Sequence, residues 1–186
     1  MFSHSRHTRS VARSVSLLIA STVLAAGGAQ ASETAHVSMV LTAYSNGPAG
    51  ETLLKGDYAE ALSMIKSYRQ QELVSASAKA TNLCVAYAAS KQVAEAKVAC
   101  DAAVKQAKYD RMNAGRFGLN TSHENGYVAI AYANRAVVHM LARDEVSAKA
   151  DLERARVLAP DADFVARNAE AVAAKSAAKI ALLGSQ

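Results

Sequence analysis

The sequence predicts an all-α protein built of packed helical hairpins, and three observations carry that expectation. The first is the stretch from Ala129 to Pro160, AIAYANRAVVHMLARDEVSAKADLERARVLAP, in which two apolar helical patterns meet at a polar break around Arg143 and Asp144. Tyr132, Ala136 and His139 recur at helical spacing with Ala133, Val137 and Met140 beside them, and Ala148, Leu152 and Ala155 form a second stripe. The second observation is the punctuation: Asp144 is placed to cap the second helix, and Pro160 stops it. The third is residue size. Ala136 and Ala148 let two backbones approach closely, and helices this short need a partner to bury their stripes against. The composition agrees: 186 residues, 51% apolar, with two prolines and no tryptophan, suit one small helical domain.

The same stretch resembles the tetratricopeptide (TPR) repeat, a helix-turn-helix unit of 34 residues. Tyr132 stands in its large aromatic slot, Asn134 in a common polar slot, and Ala136 in a small slot. Ala148 takes the small slot of the second helix, Leu152 a bulky one, Ala155 the second alanine slot and Pro160 the terminal proline. His139 replaces the usual tyrosine, and Arg143 the turn glycine. The resemblance implies a short α-solenoid of such hairpins with a C-terminal capping helix. It covers roughly residues 56–175 and is strongest over 129–168.

Taken in order, residues 1–31 read as a cleavable signal peptide. Arg6, Arg9 and Arg13 form a basic start, Val15 to Ala26 an apolar core, and Ala29-Gln30-Ala31 a small-x-small cleavage pattern. The apolar run is too short to span a membrane, so no stable span is expected after cleavage, and a bacterial periplasmic or secreted location follows. Removing three of the 21 basic residues and none of the 16 acidic ones takes the formal charge from +5 to about +2, which leaves little basis for nucleic-acid binding. Residues 32–55 read as extended or irregular. Within them His36 to Ala43 suits a short strand or an ordered tail, and Ser45-Asn46-Gly47-Pro48 marks a turn.

The TPR-like helical domain then runs over 56–183. Gly56-Asp57-Tyr58 with Ala61, Leu62 and Ile65 resembles the turn and second helix of a TPR, a half repeat over 56–72 that would cap the next hairpin. A fuller repeat spans 77–108, with Asn82, Leu83, Cys84 and Tyr87 in first-helix slots and Ala96, Cys100 and Ala103 in second-helix slots. Asn82 and Asn134 are 52 residues apart rather than 34, and the excess of 18 falls in 109–127, YDRMNAGRFGLNTSHENGY. Its first part can extend the preceding helix; the remainder, rich in Gly, Asn and charge, reads as a long loop. The repeat at 129–160 follows. Asn168 lies 34 residues beyond Asn134, so 163–183 matches a further first helix with no partner, a capping helix with Ala169, Val172, Ala173, Ala177, Ile180 and Leu183 as its inward stripe.

Little in the chain promises catalysis. It has no HExxH, no clustered Cys/His set, no acidic calcium loop, no phosphate-binding glycine loop and no nucleophile elbow, so neither metal nor cofactor is expected, and no enzyme. Ser122-His123-Glu124 is suggestive only as letters, and His139 reads as a core or groove histidine. Cys84 and Cys100 fall on opposing helices of one hairpin in the repeat register. In an oxidising compartment they favour a disulfide worth about 3 kcal/mol; reduced, they serve as small apolar core residues.

The resemblance places the candidate site on the concave face lined by first helices. That face would present Asn82 and Val85, with Ala88 and Ala89, then Asn134, Val137, Met140 and Leu141, with Ala133, and finally Asn168. The strip lacks the lysines and arginines of a carboxylate clamp and suits an extended or helical apolar segment. The three asparagines share one repeat position. Each amide can donate to and accept from a peptide backbone, so they form a possible ladder. Either a protein or peptide partner fills the strip, or the chain's own N-terminal segment or C-terminal helix does. The leading expectation is a non-catalytic interaction module or scaffold. The alternatives are a self-associating envelope protein, a homo-oligomer, and a thiol/disulfide redox protein.

Overall fold

The computed structural model describes residues 12–16, 38–67 and 75–184. The cleavage pattern at Ala29 to Ala31, most of the expected leader, and the end of the segment 56–72 lie outside the described residues. Among the described residues there are two strands, β1 (Ala12–Ser16) and β2 (Val40–Tyr44). Seven helices follow: α1 (Gly50–Lys55), α2 (Tyr58–Ser67), α3 (Ala76–Ala89), α4 (Val93–Arg116), α5 (Ser122–Leu141), α6 (Glu145–Leu158) and α7 (Asp163–Gly184).

The mostly helical expectation holds. Each helix from α1 to α7 packs on its neighbour in sequence, apart from turns of a few residues and the undescribed stretch between α2 and α3. The odd-numbered helices α1, α3, α5 and α7 also line up beside one another, and all four touch β2. The even-numbered helices form an outer layer. Small residues permit this: Cys84, Val85 and Ala88 meet Ala96 and Cys100 between α3 and α4. Ala103, Val104 and Ala107 meet Val128 and Ala131 between α4 and α5. Ala129, Ala133, Ala136 and Met140 meet Ala148, Leu152 and Ala155, with Val165 and Val172 of α7 closing the far side. Alanine-rich contacts bring helix axes toward the short end of the usual 8–10 Å range. Ala136 and Ala148 are both fully buried in one cluster.

The helix ends explain the sharp reversals. Four of them close on the same arrangement, in which a residue with left-handed backbone donates back three residues and its successor donates back five. Gly56 (φ 87°) and Asp57 bond Leu53 and Thr52; Gly118 (φ 66°) and Leu119 bond Gly115 and Ala114. Lys91 (φ 58°) and Gln92 bond Ala88 and Tyr87; Arg143 (φ 62°) and Asp144 bond Met140 and His139. Asp144 then caps α6, its Oδ1 accepting from Ser147 N–H at 3.1 Å, and hydrogen bonding from the Ser147 hydroxyl, then from this N–H, holds its carboxyl below the usual aspartate range. Helix α6 stops at Leu158, two residues before Pro160.

Three expectations need correction. Residues 109–127 contain no long loop: α4 continues to Arg116 and α5 begins at Ser122, leaving five connecting residues. The extra length lengthens two packed helices instead, and Asn120 Oδ1 accepts from Ser122 N–H at 2.9 Å at the start of α5. Residues 50–55, expected to be extended or irregular, form α1, so α1 and α2 make a short hairpin rather than half of one. On α7, Ala169, Ala173 and Ala177 are exposed; Val165, Asn168, Ala171 and Val172 are buried. The exposed alanines line an open depression of about 520 Å³ between α6 and α7. The side chains of Ile180 and Leu183 lie outside the described residues.

The all-α expectation also omitted a ribbon. β1 pairs antiparallel with β2, with Ala12 opposite Tyr44, Ser14 opposite Thr42 and Ser16 opposite Val40. The weak alternation over 36–43 thus resolves as a strand at Val40–Tyr44, all five of its residues buried. A tight turn links it to α1. A Cβ on Gly50 would lie 2.2 Å from Tyr44 O, and one on Gly47 2.8 Å from Asn82 Nδ2, so the turn requires glycine at both places.

Candidate peptide-binding groove

The groove asparagines converge on one strand. Asn82 Oδ1 accepts from Tyr44 N–H at 2.8 Å while its Nδ2 donates to Tyr44 O at 2.9 Å. Asn134 does the same to Thr42, at 2.8 Å each way. Asn168 does the same to Val40, at 2.6 and 2.9 Å. Each amide satisfies both main-chain groups of one residue, and all three are fully buried. Asn82 Nδ2 also reaches Pro48 O at 3.0 Å, which pins the turn beyond the strand.

The spacing has a geometric reason. Helices pack 8–10 Å apart, whereas two residues of a strand advance about 6.8 Å. One asparagine from each of α3, α5 and α7 can therefore match every second strand residue only if the side chains converge toward the inside of a curved layer. The order is reversed: the last helix holds Val40 and the earliest of the three holds Tyr44, so β2 runs against the direction in which the helices accumulate.

The apolar candidates lie around the same strand. Val85 and Val137 pack with Leu41 and Ala43 in one cluster, with Leu141 against it. Met140 is buried in the neighbouring cluster, against which Met39 packs. Asn82, Val85, Asn134, Val137, Met140, Leu141 and Asn168 are thus brought to one groove, and the chain's own N-terminal segment fills it. Of the alternatives left open by the sequence, this structure contains the N-terminal one.

Aromatic rings gather at the Tyr44 end of the strand. Tyr44 meets Tyr127 edge-on at 4.9 Å between centroids, and Tyr127 meets His123 at 4.5 Å. Burial pushes the Tyr44 phenol well above the usual tyrosine range. His123 Nε2 lies 3.2 Å from Tyr127 Oη, so the Ser122-His123-Glu124 sequence has its imidazole engaged with a tyrosine.

Sequence reasoning passed over one cluster. Arg135 of α5 forks onto Asp151 of α6, with Nε–Oδ2 at 2.7 Å and Nη2–Oδ1 at 2.9 Å, and reaches Asp101 of α4 at 2.8 Å. Arg154 adds a second cation to Asp151 at 2.8 Å, and His139 Nε2 stands 3.5 Å away. The hydrogen bonding of Arg135 to Asp151, more than any other influence, raises the guanidinium above its ordinary value. Asp151 is fully buried, its carboxylate oxygens are occupied, and the set ties three helices together. The visible signal was an acid beside Leu152 on the buried side of a helix, where an unpaired carboxylate would be costly.

Cys84 and Cys100 form a disulfide across α3 and α4, both fully buried. Among the described residues no group of His, Cys, Asp and Glu is arranged to hold a metal ion, and no helix is long and apolar enough to cross a membrane. Compared with family models, curated proteins and solved structures, the chain matches none of them.

Proposed function

We propose that this chain is an exported, non-catalytic interaction module of tetratricopeptide type, a short α-solenoid that serves as a scaffold for a protein or peptide partner. One observation carries the reading. Asparagines at one position of three successive inner helices each grip the backbone of an extended segment through both of its hydrogen-bonding groups. That is how a surface recognises a peptide without regard to its side chains. The buried disulfide supports an oxidising compartment, where such bridges persist. Both bridged cysteines are fully buried, out of reach of an attacking thiolate, which argues against a redox role.

The test is photo-crosslinking in the envelope of the source bacterium, from exposed positions along the inner helices, with the N-terminus of the recovered protein read by mass. The reading expects residues 1–31 removed, both cysteines oxidised, and a discrete adduct from positions near the groove. A reduced, uncut protein in the cytoplasm overturns the export half. Absence of an adduct from every groove position overturns the partner half. The open depression between α6 and α7 favours a second reading, self-association through that end. Sedimentation over a concentration series separates it, since a strict monomer removes it.

A further inference from the structure

The ladder of asparagines uses only one edge of β2. The main-chain groups of Val40, Thr42 and Tyr44 face Asn168, Asn134 and Asn82. Because N–H and C=O groups alternate in direction along a strand, those of Leu41 and Ala43 face the opposite edge. In the full chain β1 occupies that edge, placing Val15 opposite Leu41 and Arg13 opposite Ala43, with α1 alongside. Yet β1 lies within the segment that reads as a cleavable leader.

We propose that β2 is a strand-addition site in the exported protein. Loss of residues 1–31 takes β1 away, and Leu41 and Ala43 then offer two N–H and two C=O groups to an extended segment of a partner protein, which pairs antiparallel as β1 does. The inference rests on the exported-module reading and names the partner's form: an extended segment of about five residues, as long as β1, without proline opposite Leu41 or Ala43. A partner segment fits better than a second copy. The vacated edge is flanked by α1, against which β1 packs, and takes the single strand seated there, whereas a second copy of β2 would bring its own α1 and inner helices against that flank. An open edge of this kind is an invitation to pairing unless it is covered.

Amide hydrogen exchange read residue by residue tests this, on the full chain and on the protein recovered from the envelope. In the full chain all five β2 amides are expected to exchange slowly. In the recovered protein Val40, Thr42 and Tyr44 stay slow while Leu41 and Ala43 become fast. A synthetic peptide of residues 10–18 at millimolar concentration then slows Leu41 and Ala43 by about tenfold or more. Equal protection of all five amides in a recovered monomer overturns the proposal, as does a peptide without effect. A recovered dimer with Leu41 and Ala43 protected also overturns it, because the occupant is then a second copy. If the envelope protein keeps residues 1–31, the cleavage expectation fails by itself, and the full-length Arg13→Pro/Val15→Pro variant decides the edge. Peptide-induced protection of Leu41 and Ala43 in that variant upholds the edge, and none overturns it.

Discussion

Asn134 bonds both main-chain groups of Thr42 in a fully buried setting, so its removal strands a donor and an acceptor together. Leaving each group unpaired costs about 1–3 kcal/mol, so Asn134→Ala is expected to lose about 2–4 kcal/mol in denaturant unfolding. Asn134→Asp sharpens the point. Its carboxylate can accept from Thr42 N–H but faces Thr42 O with no proton to give. The neutral acid is the form the site holds, so its folded pKa lies above the unfolded one. The stability it contributes is present at low pH and lost as pH rises through the folded value. Asn134→Asp should therefore be weak at pH 7 and partly restored below about pH 5, seen as an unfolding midpoint that rises with acid. The chemistry of this residue was legible in the sequence, since three amides at one repeat position read as a backbone-binding ladder. What the sequence left open was whose backbone. Val40 to Tyr44 is VLTAY, a short apolar run that carries no sign of its destination.

At the scale of elements, helix ends and helix length behaved differently. Both ends of α6 were readable because Asp144 at its start and Pro160 beyond its stop act locally. The lengths of α4 and α5 were not, because Gly115, Gly118 and Gly126 with nearby Asn and charge look like a loop. Gly118 does sit in the short turn, but Gly115 and Gly126 lie within the helices and meet no obstacle there: a Cβ at Gly126 would meet nothing within 4 Å, and one at Gly115 only Thr121 Cγ2 at 3.7 Å. Their cost is of order 1 kcal/mol each, which tertiary packing overrides. Arg143 holds a left-handed backbone at a position where glycine is the usual occupant. Arg143→Gly is expected to stabilise by about 0.5–1 kcal/mol, a rise in thermal midpoint that a side-chain role for Arg143 would reverse. Asp144 gives a pH signature. Its folded pKa is depressed, so its contribution is present above the ordinary aspartate value and lost as pH falls through the lowered one. Asp144→Asn keeps an acceptor for Ser147 N–H without the titration. Its thermal midpoint should fall less steeply than that of the natural chain below about pH 4.

For the whole molecule, three kinds of tie hold the layers together. The disulfide locks α3 to α4, the Arg135–Asp151–Asp101 set joins α4, α5 and α6, and β2 strings α3, α5 and α7 on one line. The disulfide spans 16 residues, so Cys84→Ala/Cys100→Ala is expected to cost about 3 kcal/mol in equilibrium unfolding while leaving the hydrogen bonds to β2 intact. The helical class and the hairpin at 129–160 could be read from periodicity and small residues, which are local properties. The strand threading the inner layer could not, because its pairs are 38, 92 and 128 residues apart in sequence and depend on a curvature that emerges only when the helices assemble. Solution NMR of the three asparagine side chains tests that central claim directly. The account expects the Nδ2 protons of Asn82, Asn134 and Asn168 to be protected from solvent, with contacts to Tyr44, Thr42 and Val40 respectively. Fast exchange at all three, with no contact to residues 40–44, would contradict it.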